Sequence, residues 1–379
     1  MADDHGHVAA RSAARGRAAR RAAFRRGLRA AHPLVLLAAL GLAALALAGF
    51  DLAVRSGAFT VVSEGRLLRI AHDDYAHVTY TVARLRKEPP QGPTVYLFGG
   101  SAAMECFVSE ASLAADVSRA AGREVRVVSL AAHGQSFAQT IAIIDNLPAG
   151  EALLAVGLAP MRFTVAPEKD AGLMLGRTMP LPSQYLRETL VAQGLDEPVA
   201  DTVLPGAADY LSTYLRGRPD EGYAWLEEMT YETHYWNGQP LRSIAAKTSE
   251  AADRVALDRE LYRRHAAYNL AMLDALLRRA RERGFAVVLF EQPLNLAVAE
   301  PTWGGVLPDY RARVRALAAR WGVRCLTVHR RVALDNADFG DIYHLVASGR
   351  LKWQPELARQ LAGALVTGGP IPYAQRREG

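Results

Sequence analysis

One serine in this chain lies where covalent chemistry would be possible. Ser101 follows Gly99 and Gly100, which end an apolar run at 94–98. Glycines let the backbone turn sharply, so the serine hydroxyl can be exposed at the end of a strand, and its backbone N–H can face an oxyanion. This pattern predicts a nucleophilic serine. The alternative is a purely structural turn, because glycine-rich turns between a strand and a helix are common.

An aspartate and a histidine near the C-terminus could supply the partners that a nucleophilic serine needs. Asp341 and His344 have a D-x-x-H spacing, in which the imidazole can take the proton of a serine while the carboxylate holds the ring in the correct tautomer. Because the chain contains ten histidines, this spacing also arises by chance. The pair can therefore serve the serine only if the fold places it at the same end of the sheet.

Short apolar runs that alternate with helical patterns predict an α/β fold with a five-stranded parallel sheet. The predicted strands are 94–98, 124–129, 152–156, 286–290 and 323–328, and the predicted helices are 73–87, one from about 109, 134–147, 251–283, 306–321 and 354–366. Sheets of this kind bind ligands at the carboxyl ends of their strands. Ser101 follows the first strand and the Asp341–His344 pair follows the fifth, so we expect them at the same edge.

Composition divides the chain into segments. We predict a basic arm (1–32), a membrane anchor (33–54), a stalk with a leading helix (55–92), two parts of one α/β domain (93–160 and 251–369), an insertion after strand three (161–250) and a tail (370–379). The insertion holds six of the 14 tyrosines and two of the five tryptophans. It could be a lid over a substrate or, equally well, a subdomain packed by its own aromatic residues.

The excess positive charge of the chain lies entirely in its first 33 residues, where eight arginines face two aspartates. The other 346 residues carry 37 basic and 37 acidic groups. Nucleic-acid binding requires a basic face on the folded domain, so we do not expect a nucleic-acid partner.

Directly after the arm, 18 uncharged residues at 33–50 would span about 27 Å as a helix, which is enough to cross a bilayer core. Arginines on its N-terminal side predict a single-pass protein of the inner membrane, with the N-terminus in the cytoplasm and the main domain outside. One alternative is a cleaved signal peptide, because small-residue triplets at 44–46 and 46–48 resemble cleavage sites, although the preceding basic region is long for one. A buried soluble helix is the other alternative.

The sequence gives no reason to expect a metal or another cofactor, since it lacks CxxC and HExxH patterns and its histidines are scattered. Cys106 and Cys325 could form one disulfide in an exported protein. Glu291 and Asn295, after strand four, could face a substrate or could cap the next element, and His133 could line the site or hold a loop.

Three short motifs resemble blocks of the SGNH (GDSL-type) hydrolases: the Gly99-Gly-Ser101 turn, Gly134 in the loop at 129–135, and the Asp341-x-x-His344 pair. The resemblance covers roughly 93–366 without the insertion, and it is closest to the membrane-anchored branch with the alginate-acetylation and D-alanyl transfer proteins. It implies a flavodoxin-like three-layer sandwich.

The resemblance also implies a role for each matching residue. Ser101 would be the nucleophile, His344 the general base and Asp341 the residue that orients it. The backbone N–H groups of Ser101 and Gly134 would form an oxyanion hole, with Gly100 and Gln135 beside it.

The chain also departs from this family. Gly100 stands where the family has an aspartate, and no asparagine follows strand three, which ends in Val-Gly-Leu-Ala-Pro at 156–160. Gln135, Arg162 or a residue of the insertion could replace that oxyanion donor.

The resemblance implies an esterase or O-acyltransferase that acts on acyl groups of a cell-envelope polysaccharide. Two alternatives stay open: a non-catalytic partner that docks on a membrane acyltransferase, and an esterase or thioesterase that acts on lipids.

Overall fold

The computed structural model of the chain describes residues 33–55, 74–170, 181–195 and 240–367. The predicted basic arm and tail, and much of the predicted stalk and insertion, lie outside these ranges. The chain divides into two compact units, residues 1–53 and 54–379, which are described separately.

Helix α1 (Pro33–Arg55) contains the apolar run that the sequence singled out. Its first 18 residues, Pro33–Phe50, are long and apolar enough to cross a membrane, and none of this stretch is buried in the protein. Among the described residues it is the one helix with these properties. The predicted N-terminal apolar helix is therefore present.

The second unit is built on a five-stranded sheet in which all neighbouring strands are parallel, as predicted. Its strands are β1 (Thr94–Phe98), β2 (Arg126–Ser129), β3 (Ala152–Leu158), β4 (Ala286–Glu291) and β5 (Arg324–Leu326). The order across the sheet is β2-β1-β3-β4-β5. From β1 the chain adds β2 on one side and then returns to add β3, β4 and β5 on the other side, so the strand order reverses between β1 and β3. In such sheets ligands bind in the crevice at the carboxyl ends of the two strands that flank this reversal.

Helices cover both faces of this sheet. They are α2 (Asp74–Lys87), α3 (Ser101–Met104), α4 (Glu110–Ala121), α5 (Phe137–Asn146), α6 (Gln184–Ala192), α7 (Ile244–Glu282), α8 (Leu296–Trp303), α9 (Val306–Trp321) and α10 (Ala347–Thr367).

Strand side chains alternate between the two faces of the sheet, as the pleat requires. Tyr96 and Phe98 of β1 pack into one core with α2 and α5 to α9, and Val95 and Leu97 pack into the other with α4 and α10. Each face of the sheet is thus shielded from water by helices, which is the usual environment of a fully parallel sheet.

Several helices differ from the sequence prediction: α6 and α8 were not predicted, and α5 begins at Phe137 rather than 134. Helix α3 is an additional single turn that begins at Ser101. Helix α7 begins at Ile244 rather than near 251, because Ser243 caps it by accepting a 3.2 Å hydrogen bond from the Ala246 N–H. Helix α10 begins at Ala347 rather than 354, with Pro355 in its interior.

The two cysteines are not joined. Cys106 is buried in the core on one face of the sheet, whereas Cys325 packs against the core on the opposite face. The disulfide considered from the sequence is therefore absent, because the sheet separates the two thiols.

Candidate active site

The turn that carries Ser101 depends on Gly99. Its φ of +149° is rarely adopted by residues with a side chain, and a Cβ there would lie 2.5 Å from the Ala103 Cβ. Gly100 has a φ of −75° and a ψ of −172°, and a Cβ at this position would meet nothing within 4 Å. The turn therefore requires a glycine at position 99, whereas the backbone at position 100 could accommodate a residue with a side chain.

Ser101, His344 and Asp341 form a continuous chain of hydrogen bonds. The Ser101 Oγ lies 2.9 Å from the His344 Nε2, and the His344 Nδ1 lies 2.9 Å from the Asp341 Oδ2. In the tautomer with its proton on Nδ1, the imidazole donates to the carboxylate and accepts from the serine hydroxyl. This is the arrangement in which a histidine can remove the serine proton.

Asp341 is held as an ionised acceptor. Its Oδ1 accepts hydrogen bonds of 2.7 Å from the backbone N–H groups of Tyr343 and His344. Burial raises the pKa of Asp341, but the charge and hydrogen bonds of His344 and these two backbone donors together lower it below its usual value. A carboxylate fixed in this way can stabilise the imidazolium that forms when His344 takes a proton.

The loop that carries Asp341 and His344 is fastened at several points. Asn295 donates its backbone N–H to the Ile342 carbonyl at 2.9 Å, and the Gly340 N–H donates to the His344 carbonyl at 2.9 Å. The Trp303 indole N–H donates to the Tyr343 hydroxyl at 2.9 Å in the core. The histidine is therefore placed by backbone and core contacts as well as by its own side chain.

Gly134, predicted as a donor of the oxyanion hole, and Gln135, predicted beside it, follow β2 at the same edge of the sheet. Gly134 is exposed and has a φ of +59°. The side chain of Gln135 is buried, and its Oε1 accepts a 3.1 Å hydrogen bond from the Gly99 N–H while its Nε2 donates to the Leu130 carbonyl at 2.7 Å. The Gln135 side chain thus braces the serine turn, and its amide N–H is used within the fold.

Arg162, considered as a substitute oxyanion donor, is also engaged within the fold. Its buried guanidinium lies 4.4 Å from the centre of the Phe137 ring. Its nitrogen atoms donate to the carbonyls of Gly157 (2.7 Å), Gln135 (3.0 Å) and Ser136 (3.2 Å) and to the Thr140 hydroxyl (3.0 Å). Arg162 therefore ties the loop after β2 to the end of β3.

The other polar residues named from the sequence lie apart from this chain of hydrogen bonds or support it indirectly. Glu291 accepts a 2.9 Å hydrogen bond from Arg311, and its other oxygen lies 3.4 Å from the His329 Nδ1. The Asn295 side chain donates to Asn336 at 3.0 Å and so connects two loops. His133 is exposed.

Two basic residues that contact the Asp341–His344 loop were not singled out from the sequence. Lys247, in the first turn of α7, and Arg242, just before that helix, both donate to carbonyl groups of the segment that leads into this loop. They lie in the segment interpreted as an insertion, about 90 residues before the loop, and no local pattern marks them. The later start predicted for α7 also placed Lys247 outside that helix.

Within the ranges that the structure describes, no group of three or more His, Cys, Asp or Glu side chains is arranged to hold a metal ion. No protein-family model matches the chain, and no curated protein sequence matches it significantly.

Proposed function

We propose that this protein is a membrane-anchored serine esterase or O-acyltransferase that acts on acyl groups of a cell-envelope polysaccharide. The observation that carries the proposal is the hydrogen-bonded chain from Ser101 through His344 to Asp341, with both distances at 2.9 Å. The three side chains come from opposite ends of the domain sequence, and the hydroxyl, imidazole and carboxylate are in the order that nucleophilic acyl chemistry needs.

In the proposed reaction, the Ser101 Oγ attacks the carbonyl carbon of an ester, and its proton passes to the His344 Nε2. Backbone N–H groups of Ser101 and Gly134 would hold the negative oxygen of the tetrahedral intermediate. When the intermediate collapses, the alcohol leaves with the proton from His344, and an acyl group stays on Ser101. A water molecule or a sugar hydroxyl then attacks this acyl group, again losing its proton to His344.

The first unit supports a proposed place of action outside the cytoplasm. An apolar helix after a basic arm fits a signal anchor that keeps the N-terminus in the cytoplasm and exports the domain. An exported hydrolase would face envelope polymers. The parallel sheet, its strand order and the three motifs also support a flavodoxin-like SGNH domain, with residues 161–250 as an insertion.

A second function, a non-catalytic partner that docks on a membrane acyltransferase, is favoured by one specific observation. No asparagine directly follows β3, and two of the residues considered as replacements, Gln135 and Arg162, use their side chains within the fold. Loss of one oxyanion donor costs about a hundredfold or more in rate. This alternative predicts a folded protein that lacks esterase activity.

The test compares the full-length protein in detergent with two serine variants, Ser101→Ala and Ser249→Ala. Ser249 is exposed on α7 and serves as the matched control. Acyl release is measured from p-nitrophenyl acetate, an O-acetylated polysaccharide and phospholipid vesicles, with and without a sugar acceptor.

We expect acyl release or transfer with the polysaccharide in the wild type and the control, and its loss in Ser101→Ala. Turnover of phospholipid alone would favour a lipid esterase. Activity that persists in Ser101→Ala would contradict the proposed mechanism.

A further inference from the structure

We propose that Lys247, together with Arg242, is a positioning residue that holds the Asp341–His344 loop in register with Ser101. This role rests on the proposed function, because it concerns the same site. Both residues act through the loop backbone, and neither contacts the reacting atoms in the proposed mechanism.

The side chain of Lys247 ends inside the loop. Only 3% of the residue is exposed, and its Nζ donates to the Phe339 carbonyl at 2.6 Å and the Asn336 carbonyl at 2.8 Å. Both carbonyls lie on the segment that leads directly into Asp341. A buried ammonium that donates to two carbonyl groups fixes their spacing, because leaving either bond unmade would be costly.

Arg242 holds the next carbonyl along the chain. Its Nη2 donates to the Gly340 carbonyl at 2.7 Å, and its own carbonyl accepts a 2.8 Å hydrogen bond from the Asn336 side chain. Arg242 also forms an ion pair with Glu250, one turn beyond Lys247 on the same helix. Lys247 and Arg242 therefore bind the carbonyls of residues 336, 339 and 340, which lie immediately before Asp341.

The positive charge of Lys247 also favours the ionised Asp341 carboxylate of the site. Burial lowers the pKa of Lys247, and so does the Arg242 guanidinium, whereas the Asp341 carboxylate raises it. A cation at this position favours the ionised form of Asp341, which the proposed mechanism requires. Lys247 thus contributes to the site both through backbone geometry and through charge.

The contact of Lys247 and Arg242 with the loop should affect the reaction rate, because it helps to set the distance between His344 and Ser101. The bond between His344 and Ser101 joins residues that are 243 positions apart in sequence, and the histidine side of that bond depends on the loop. A displacement of about 1 Å at a catalytic group can reduce a rate about a hundredfold. Releasing two carbonyls of the loop should therefore slow the chemical step more than it weakens ligand binding.

The experiment measures inactivation of the full-length protein by a fluorophosphonate, which reacts with the Ser101 oxygen and releases fluoride. Its time course separates the binding constant KI from the rate constant of reaction, kinact. The variants are Lys247→Met, which keeps the length of the side chain without its charge, and Arg242→Met. Arg263→Met, an exposed site on the same helix, is the control.

We expect Lys247→Met to lower kinact at least about tenfold with little change in KI, Arg242→Met to lower it several-fold, and Arg263→Met to match the wild type. If Lys247→Met does not fold, Arg242→Met decides the question. Folded variants with the kinact of the wild type would overturn the positioning role alone. A wild type that shows no labelling dependent on Ser101 would overturn the proposed function, and the positioning role with it.

Discussion

A buried ion pair connects the residue that ends helix α3, which begins at Ser101, to helix α10, which follows the His344 loop. Glu105 follows helix α3, and its backbone N–H donates to the Ser101 carbonyl at 2.9 Å. Arg350 lies in the first turns of α10, six residues after His344. The Glu105 Oε2 lies 3.7 Å from the Arg350 Nη2, and the two side chains are 0% and 2% exposed. We predict that replacing Arg350 alone has a large effect on stability.

The expected magnitude follows from this burial. Arg350→Met leaves the Glu105 carboxylate without the guanidinium, and breaking a buried pair in this way costs about 3–5 kcal/mol. In a domain of this size, roughly 2–4 °C of Tm is lost per kcal/mol, so Tm should fall by about 6–20 °C. The double variant Glu105→Leu with Arg350→Met removes both charges, and it should recover most of this loss because apolar residues can replace such a pair at little cost.

The assay is thermal unfolding of the full-length protein in detergent at neutral pH, followed by circular dichroism. The control is Arg264→Met, which breaks an exposed ion pair with Glu260 on α7; both side chains are more than half exposed. Such pairs contribute roughly 0.3–0.5 kcal/mol, so Tm should barely change. A shift for Arg350→Met as small as that of the control, or a double variant less stable than the single one, would refute this reasoning.

Three other predictions concern the site directly. Gly99→Ala should destabilise the protein and abolish fluorophosphonate labelling, because the added Cβ would lie 2.5 Å from the Ala103 Cβ. Gly100→Ala should keep the stability and the labelling of the wild type, because its Cβ would meet no atom within 4 Å. Equal behaviour of the two variants would contradict this geometry. Asp341→Asn should lower Tm at pH 7, because the folded pKa of Asp341 lies below its usual value, and should slow labelling about 10³- to 10⁴-fold, because an amide N–H in place of the carboxylate favours the wrong tautomer of the histidine. A labelling rate like that of the wild type would argue against this role. Burial raises the pKa of Asp338, but hydrogen bonds, chiefly from the Lys352 ammonium, lower it by more than burial raises it. The pKa of Asp338 therefore lies below its usual value. A lowered pKa stabilises the fold above the unfolded value of about 4, and this contribution is lost as the pH falls through the folded value. Asp338→Asn should therefore lower Tm at pH 7 by an amount that shrinks below about pH 4, and a deficit that is independent of pH would contradict this assignment.

The sheet could be predicted because its signals are local. Each strand is a short apolar run bounded by residues that break regular structure, and the parallel topology follows from the alternation with helices. The same topology explains why Ser101 and His344 could be expected at one edge of the sheet, since each follows a strand. The distance between them could not be predicted, because it depends on loop conformations.

The contacts that support the site could not be predicted from the sequence, for a different reason. Gln135 was considered as a substitute oxyanion donor, yet its side-chain amide braces the Gly99 backbone, because residue type alone does not determine the direction of a side chain. The contact of Lys247 with Phe339 and that of Arg350 with Glu105 join residues far apart in the chain. Such pairs have no local pattern, so only the folded chain shows them.

The most direct test of the central claim is to map the serine that a fluorophosphonate labels. Full-length wild type, Ser101→Ala and His344→Ala are incubated with the probe in detergent, and the modified peptide is identified by mass spectrometry. The account predicts a phosphonate on Ser101 in the wild type and its loss in both variants, each with an unfolding temperature close to that of the wild type. A folded wild type without label on Ser101, or equal labelling of Ser101 in His344→Ala, would contradict it.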